Sequence, residues 1–581
     1  METKKFVLLD IDYITQKGEA VIRLFGRQID EKNTPITAHH RTFKPYIYIH
    51  TDNTNLCKKE LDKLNLLKIE KITKEDNGKT KDFLKLTLKH PYDTHKLKKE
   101  LKTMKSVKEI REYDIPFYRR YLIDHDLNPM NMVEVQGKTI KTLENGRCIF
   151  EIQGEPQDMG LNPEKLKLLS FNIEAATAHG TPNVKEDPII MVSFSSNQGF
   201  QKIITTRRSS LKFVETVATE EELIQSYMDT IDSEDPDILL GYNSDRYDFP
   251  YLTGRAELLN IPLKLGVDGS KLKIRFNGRR NASTVRGRVH IDLYSNLRRH
   301  LPLEHHTLKR VYKELFGADK VDIPDYEVHT SFHEGGERLE TIFKHTMADV
   351  EAVTKIGEKM LPLSIELTRI VGQPLFDVSR MGSGKQVEWY LIRKAHESGR
   401  MAPNKFGNYL RDVVGGYVEE PVQGLHRDIH YFDFRSLYPS IIVAKNISPD
   451  TLTETQDSYV TPEFDYRFRK HPQGFIPSVV VELLENRRKV KGMMAQTTDP
   501  RELQILNFRQ EAFKRLTNTI YGLYNHSTFR WYSIECSEAI TAWGRDFLQK
   551  TMEKSKEHGF KPLYADTDGF YAVFEEKENE I

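Results

Sequence analysis

Only three cysteines, Cys57, Cys148 and Cys536, occur in 581 residues. They stand far apart in no ligand-like spacing, which excludes a disulfide framework and a cysteine-built zinc site. No apolar stretch approaches the roughly 20 residues that cross a bilayer, and the opening Met1 to Val7 is charged where a secretion signal would be apolar. The expectation is a chain with no membrane segment, resident in the cytoplasm. An excess of either charge is also lacking: 86 Lys and Arg against 85 Asp and Glu leave +1. Any contact with a polyanion must therefore come from local basic surface, offset by acids gathered elsewhere. Lys96 to Lys105 and Lys271 to Arg288 are such runs, and the first reads more readily as an ordinary helix surface than as a nucleic-acid contact. A P-loop is absent as well. In Gly382-Ser383-Gly384-Lys385-Gln386 a Gln follows the Lys and position 379 is Ser, so that motif fails. What is present, 38% hydrophobic and 29% charged, describes a folded chain with material for about four domains.

The most informative segment is acidic. Leu563-Tyr564-Ala565-Asp566-Thr567-Asp568-Gly569-Phe570-Tyr571-Ala572 reads as strand, tight turn, strand, with Asp566 and Asp568 held at the bend. Upstream, Ile429 to Phe434 reads as a buried strand running into the turn residues Ser436 and Pro439, with Asp433 at its end. Alone, D-T-D-G is a common surface turn. Together the two segments supply three carboxylates, the hard oxygen ligands wanted by a pair of divalent ions that transfers a nucleotide.

A third segment decides between these readings. From Arg509 to Gly522, Lys514, Asn518 and Tyr521 fall at i, i+4, i+7, while Phe513, Leu516 and Ile520 form a separate apolar face. Arg487 and Lys491 repeat the i, i+4 spacing upstream, and two aligned cations suit a triphosphate. Either run alone is a solvated helix face.

In order, the D-x-x-S-L-Y-P-S-I-I, K-x-x-x-N-x-x-Y-G and Y-x-D-T-D-G elements resemble the family B DNA polymerases, particularly the archaeal replicative ones, across nearly the whole chain. The resemblance implies an α/β multidomain architecture. Its parts are an N-terminal domain over 1–155 completed by about 361–400, an RNase H-like 3′-5′ exonuclease domain over 156–360, palm over 401–477, helical fingers over 478–527, and palm again over 528–581. It implies that Asp433 and Asp568 bridge two Mg2+ ions with Asp566 as a further acid. Arg487, Lys491, Lys514 and Asn518 would hold the deoxynucleoside triphosphate beside Leu437. Tyr438 would be the steric gate against a 2′-hydroxyl, and Tyr521 and Gly522 would press on the nascent base pair. Primer-template DNA and dNTPs are the implied partners.

The same family places a D-x-E pair first in its exonuclease site; here Leu168 to Glu174 reads N-x-E, with Asn172 and Glu174. Asp248 and Asp349 match the later acidic elements, and His345 stands where a Tyr is usual. An amide keeps the carboxylate's shape but removes a charge and adds a donor, so a divalent metal is held poorly and editing is expected to be weak or absent. Tyr13, Pro45, Tyr46, Thr94, Phe117 and Arg120 match the family's template-uracil pocket, with Thr94 in place of Val. Val413-Val414-Gly415-Gly416 matches the Y-x-G-G joint between nuclease and polymerase halves, with Val413 in place of Tyr. The stretch Asn128 to Lys141 reads as a polar insertion. Only Val573 to Ile581 follow the hairpin, and Glu575 to Ile581 reads as a solvated tail. The resemblance therefore extends to the large subunit of split methanogen polymerases, a second polypeptide supplying the remaining palm and the thumb, and through it a sliding clamp. The competing expectations are a truncated form and an inactive polymerase-fold regulatory chain.

Overall fold

Period-two alternation organises the sheet built around Leu168–Ala175. In the strand Leu168–Ala175, Leu169, Phe171 and Ile173 face one way into a core with Val192, Phe194, Leu252 and Phe249. Leu168 faces the other way, against Val353 and Ile356 of the long helix Gly336–Val371. A strand covered on both faces in this manner is central to its sheet. In the computed structural model, which describes residues 1–161, 165–175, 177, 180–277, 280–319, 323, 325–405, 407 and 412–574, it is indeed central. The sheet runs Val214–Thr216, Gln201–Thr205, Ile189–Ser196, Leu168–Ala175, Ile238–Gly241, Val289–Asp292. The central strand is antiparallel to Ile189–Ser196 and parallel to Ile238–Gly241.

The described residues form two compact units. One comprises Met1–Phe43 and Asp124–Gly382. Besides the sheet around Leu168–Ala175 it holds a sheet ordered Glu2–Gln16, Glu19–Gln28, Pro35–His40, Cys148–Ile152, Asn131–Thr142, Gln157–Leu161, which closes on itself because Glu2–Gln16 also pairs with Asn131–Thr142. The supposed insertion is thus corrected: most of Asn128 to Lys141 is an integral strand. Val133 and Val135 point inward between polar neighbours, a short alternation masked by the surrounding Asn, Gln and Lys.

The other unit comprises Lys44–Ile123 and Ser383–Ile581, so residues 44–123 group with the segments that carry the acidic hairpin, a grouping that differs from the division drawn along the sequence. Its first part is a four-stranded sheet ordered Lys68–Asp76, Lys79–Thr87, Tyr46–His50, Glu109–Arg111. The helices Thr54–Leu61 and Asp93–Leu101 bury Cys57, Leu61, Leu97 and Leu101 against Ile47, Ile49, Leu84 and Leu86 of that sheet. Ser383–Glu397 is a helix, and the Gly384 of the failed P-loop packs where a Cβ would lie 2.7 Å from Leu523. The three cysteines are free and buried. No helix among the described residues is long and apolar enough to cross a membrane. The proposed tail from Glu575 onward lies outside the described residues.

Candidate active site

The acidic hairpin forms as its sequence dictates. Phe560–Asp566 and Gly569–Phe574 pair antiparallel around Thr567 and Asp568, with Thr567 left-handed at φ 59°. Ile429–Asp433 adds to the outer side of Gly569–Phe574, giving the order Val418–Glu419, Phe560–Asp566, Gly569–Phe574, Ile429–Asp433. The register is decisive. Gly569 pairs with Asp566 on one side and with Asp433 on the other, so three neighbouring strands bring the two acids to one line across the sheet. Asp568, at the turn, accepts a hydrogen bond from the Phe434 N–H through its carbonyl at 2.8 Å. Gly569 is required here: an added Cβ would meet the Tyr431 hydroxyl at 2.6 Å.

The strand over Ile429–Asp433 exists, but its expected burial is corrected, since all five residues are exposed. Among the described residues it is the edge of its sheet, and the helix Ile534–Glu557 covers one face, where Leu548 and Met552 pack on Ala565, Phe570 and Ala572. The opposite face carries Tyr431 and Tyr571, with ring centroids 4.6 Å apart, beside the acids.

Electrostatics mark this spot. The Asp568 carboxyl is raised above the ordinary range, first by partial burial and then by the negative charges of Asp433 and Asp566. Among the described residues no Lys, Arg or His lies within ion-pair distance of the three carboxylates. Nor are three or more His, Cys, Asp or Glu drawn close enough to hold a metal unaided. Uncompensated carboxylates with an incomplete cage fit a small hard cation, which characteristically takes one or two carboxylates and completes its shell with water and substrate phosphate.

Chain reversal after the edge strand sets the next group. Ser436 is left-handed, φ 58°, and starts the helix Leu437–Ala444. Tyr438 lies with its ring centroid 4.3 Å from that of Tyr521, and a Cβ on Gly544 would lie 3.0 Å from it. Burial, then Tyr521 and Asp568, push its hydroxyl up to about 12, which places the ring within electrostatic reach of the acids. Leu437 is buried, so its backbone is the part left for a ligand. Arg487 and Lys491 lie on Phe475–Met494 and Lys514, Asn518, Tyr521 and Gly522 on Pro500–Leu523, two helices packed side by side. Lys491, Lys514, Asn518 and Gly522 are exposed; Arg487 is steadied by Gln510 at 3.4 Å.

At the candidate nuclease site, Asn172 and Glu174 share a strand face, and the Asn172 amide donates to Glu174 Oε1 at 2.8 Å. The Ile173 N–H donates to Asp248 Oδ1 at 3.2 Å. Thr354 Oγ1 donates to Ser170 Oγ at 2.8 Å. This contact joins the helix that carries His345 and Asp349 to the strand that carries Asn172 and Glu174. His345 Nδ1 is 3.6 Å from Asp349 Oδ2. Asp248 is only 2% exposed, and burial pushes its carboxyl up to about 7, with Asp292 adding to the shift.

A carboxyl raised in the fold contributes full stability below its unfolded value near 4, and loses it as pH rises through about 7. Asp248→Asn is therefore expected to raise the unfolding midpoint at pH 8 in chelator, with the gain gone at pH 4. A midpoint unchanged at both pH values would contradict a strained, ionised Asp248.

Of the six uracil-pocket residues, Tyr13 belongs to the unit with the sheet around Leu168–Ala175 and Pro45, Tyr46, Thr94, Phe117 and Arg120 to the other. Within the latter, the Arg120 guanidinium sits 5.0 Å over the Tyr46 ring and pairs with Glu112.

Comparison with known proteins follows this geometry. Residues 108–311 match the family described as DNA polymerase family B, exonuclease domain, and residues 374–579 match DNA polymerase family B. DNA polymerases from Desulfurococcus sp. (strain Tok) and Thermococcus gorgonarius are each 39% identical over 583 residues, spanning 98% of this chain and 71% of theirs. The chain belongs to the family B DNA polymerases. The solved structure of the family B DNA polymerase from the hyperthermophilic archaeon Pyrobaculum calidifontis superposes on this polymerase with a TM-score of 0.86 at 30% identity, covering 98% of this chain and 74% of that one.

Several residues of this polymerase's site carry no sequence signal of their own. Arg545, inside the helix Ile534–Glu557, donates to the carbonyls of Val414 and Gly415 at 3.0 and 2.6 Å and pairs with Glu463. It thereby pins the glycine joint, whose Gly416 would place a Cβ 2.9 Å from Thr567 of the acidic turn. Behind the candidate nuclease site Asp245 accepts from Arg380 at 2.8 Å and from the Ser283 N–H at 2.7 Å, beside a His290 pushed down to about 4 by burial. These groups are scattered in sequence and meet only through the sheet.

Proposed function

We propose that this chain is the catalytic part of a DNA-dependent DNA polymerase, extending a primer 3′-hydroxyl with dNTPs on template DNA. One observation carries the reading: Asp433 and Asp566 share the Gly569 register with Asp568 at the adjoining turn, and among the described residues none of the three has a cationic partner, while Tyr438 packs against Tyr521 nearby. Asp433 and Asp568, with Asp566, would hold two Mg2+ ions, which when bound would acidify the 3′-hydroxyl and neutralise the departing pyrophosphate. Arg487, Lys491 and Lys514 supply cations, and Asn518 a hydrogen-bonding amide, for the triphosphate. The Tyr438 ring, held by Tyr521 and Gly544, leaves no depth for a ribose hydroxyl. Editing in this proposal is impaired, because Asn172 brings an amide donor to Glu174 in place of a charge.

The exposed Ile429, Tyr431, Tyr571 and Phe574 support a further covering element, which we assign to a partner polypeptide. Magnesium-dependent primer extension, with and without a candidate small subunit, is the test; no extension under either condition would favour the regulatory alternative. Template uracil, if captured by the pocket residues, stalls extension where thymine does not, and unimpeded copying of uracil would remove that assignment.

Tyr438→Ala is expected to raise ribonucleotide incorporation by about 100-fold relative to deoxynucleotide, since a lost steric clash is a transition-state discrimination of a few kcal/mol. Single-nucleotide kinetics with matched dNTP and rNTP check it; unaltered sugar selectivity would move the gate elsewhere.

A further inference from the structure

The unit that holds the sheet around Leu168–Ala175 carries, on a short surface helix, a pair of groups that neither carboxylate cluster uses. The helix Asp325–Glu334 contains His329-Thr330-Ser331-Phe332-His333, two imidazoles at i, i+4. That spacing sets side chains on one face, one turn apart. The neighbouring stripe fixes how the face is turned. Val328 and Phe332, also i, i+4, join the core cluster of Leu339, Ile342 and Phe343 from the helix Gly336–Val371. Arg207 holds the end of the turn, donating to the His333 carbonyl at 3.0 Å with its guanidinium 5.2 Å from the Phe332 ring centroid. The histidine face is thereby directed outward, with His333 exposed and His329 half-buried.

The two rings converge. His329 Nε2 and His333 Nε2 are 3.1 Å apart, with ring centroids 4.4 Å apart and planes inclined by 58°. Imidazole nitrogens bound to one ion at about 2.05 Å stand about 3.3 Å apart in a tetrahedral shell and about 2.9 Å apart at a right angle. The observed separation lies between these values, so one ion fits both nitrogens with the backbone as it stands and only a rotation of the rings, which is a soft torsion. A hydrogen bond between two neutral imidazoles is the competing account of the contact, but it adds little where water competes for the same nitrogens.

The donor type chooses the ion. Imidazole suits zinc, nickel and copper, whereas magnesium and calcium take oxygen ligands. Position 330 is Thr, where a hydrolytic zinc motif of this spacing carries its general-base Glu, so the pair is suited to binding rather than to hydrolysis. Glu334, next along the helix, is paired with Arg338 at 3.1 Å. Among the described residues no group of three or more metal-ligating side chains is drawn together, which leaves the remaining positions of the shell to water.

We propose that His329 and His333 form a two-histidine chelate for a divalent transition ion of the zinc, nickel and copper class, separate from the polymerase and nuclease carboxylates. The bound ion would cross-link one helical turn and stabilise the folded chain by mass action. The inference is independent of the polymerase function proposed above.

The test is isothermal titration of the full chain with Zn2+ in a non-chelating buffer containing saturating magnesium, which competes at the carboxylate clusters. The parent is expected to take up one more equivalent than the double variant His329→Gln, His333→Gln. Either single variant is expected to bind that equivalent at least about tenfold more weakly, because the second imidazole of a chelate binds intramolecularly. Melting curves confirm that the variants are folded. Carbethoxylation of the unaltered chain, with His329 and His333 shielded by Zn2+ but not by Mg2+, provides a mutation-independent check. Equal stoichiometry and affinity in parent and double variant would overturn the proposal, as would labelling of both histidines that Zn2+ leaves unchanged; the pair would then be a plain hydrogen-bonded contact.

Discussion

Asp568→Asn is expected to lower the rate of primer extension by at least about 1,000-fold while raising the unfolding midpoint. The two effects have one origin. The carboxyl at 568 is raised by burial and by Asp433 and Asp566, with no neighbouring cation among the described residues. Its charge is therefore an electrostatic burden on the folded chain, and removing it relieves repulsion at neutral pH. The same charge is what would draw divalent ions to the sheet, so removing it withdraws the stabilisation on which nucleotidyl transfer depends. Single-turnover kinetics at saturating magnesium, read beside melting curves in chelator, check both halves. Retained turnover would mean that the register at Gly569 is not a catalytic centre. Asp566→Asn is expected to cost less, because Asp566 Oδ1 already accepts from the Thr567 hydroxyl at 2.8 Å and the residue lies away from the edge strand.

Asn172→Asp carries the second large effect, a gain. In the present chain the amide at 172 donates to Glu174 at 2.8 Å, so two groups that would share a cation are instead satisfied by each other. An aspartate there cannot donate. It would face Glu174 as a like charge, with Asp248 held at the Ile173 N–H, and a divalent ion would relieve the repulsion. We expect 3′-end degradation of single-stranded DNA to rise by at least about 100-fold, of the size seen when a charge-stabilising group is added to or removed from an active site. A time course of end-labelled DNA separates the outcomes. Rapid degradation by the unaltered chain would refute the impairment.

Much of the site was legible because its parts are local. The D-T-D-G turn, the i, i+4, i+7 stripe from Lys514 to Tyr521 and the N-x-E pair each declare themselves within a dozen residues, and local periodicity is what sequence displays best. The edge strand shows where such reading stops. Ile429 to Phe434 is apolar enough to suggest burial, but burial depends on which strands and helices arrive beside it, and among the described residues one face is covered. Asn131–Thr142 failed in the opposite direction, since its two inward valines are outnumbered by polar outward residues. The split of the chain was illegible for a similar reason: nothing local to residues 44–123 tells that they fold with segments more than 250 positions onward. Arg545 illustrates the residues that only tertiary structure can reveal, because the carbonyls it holds lie more than 100 residues away.

Strand pairing at Gly569 also makes the acidic cluster discrete. Side chains alternate between the two faces of a sheet, so slipping Ile429–Asp433 by one position would not loosen the carboxylate cluster by a fraction of an ångström. It would turn Asp433 through the sheet toward the helix side and send Phe432 outward in its place. Such an arrangement has no half-aligned version: a molecule of this chain either has all three aspartates on the working surface or has only two.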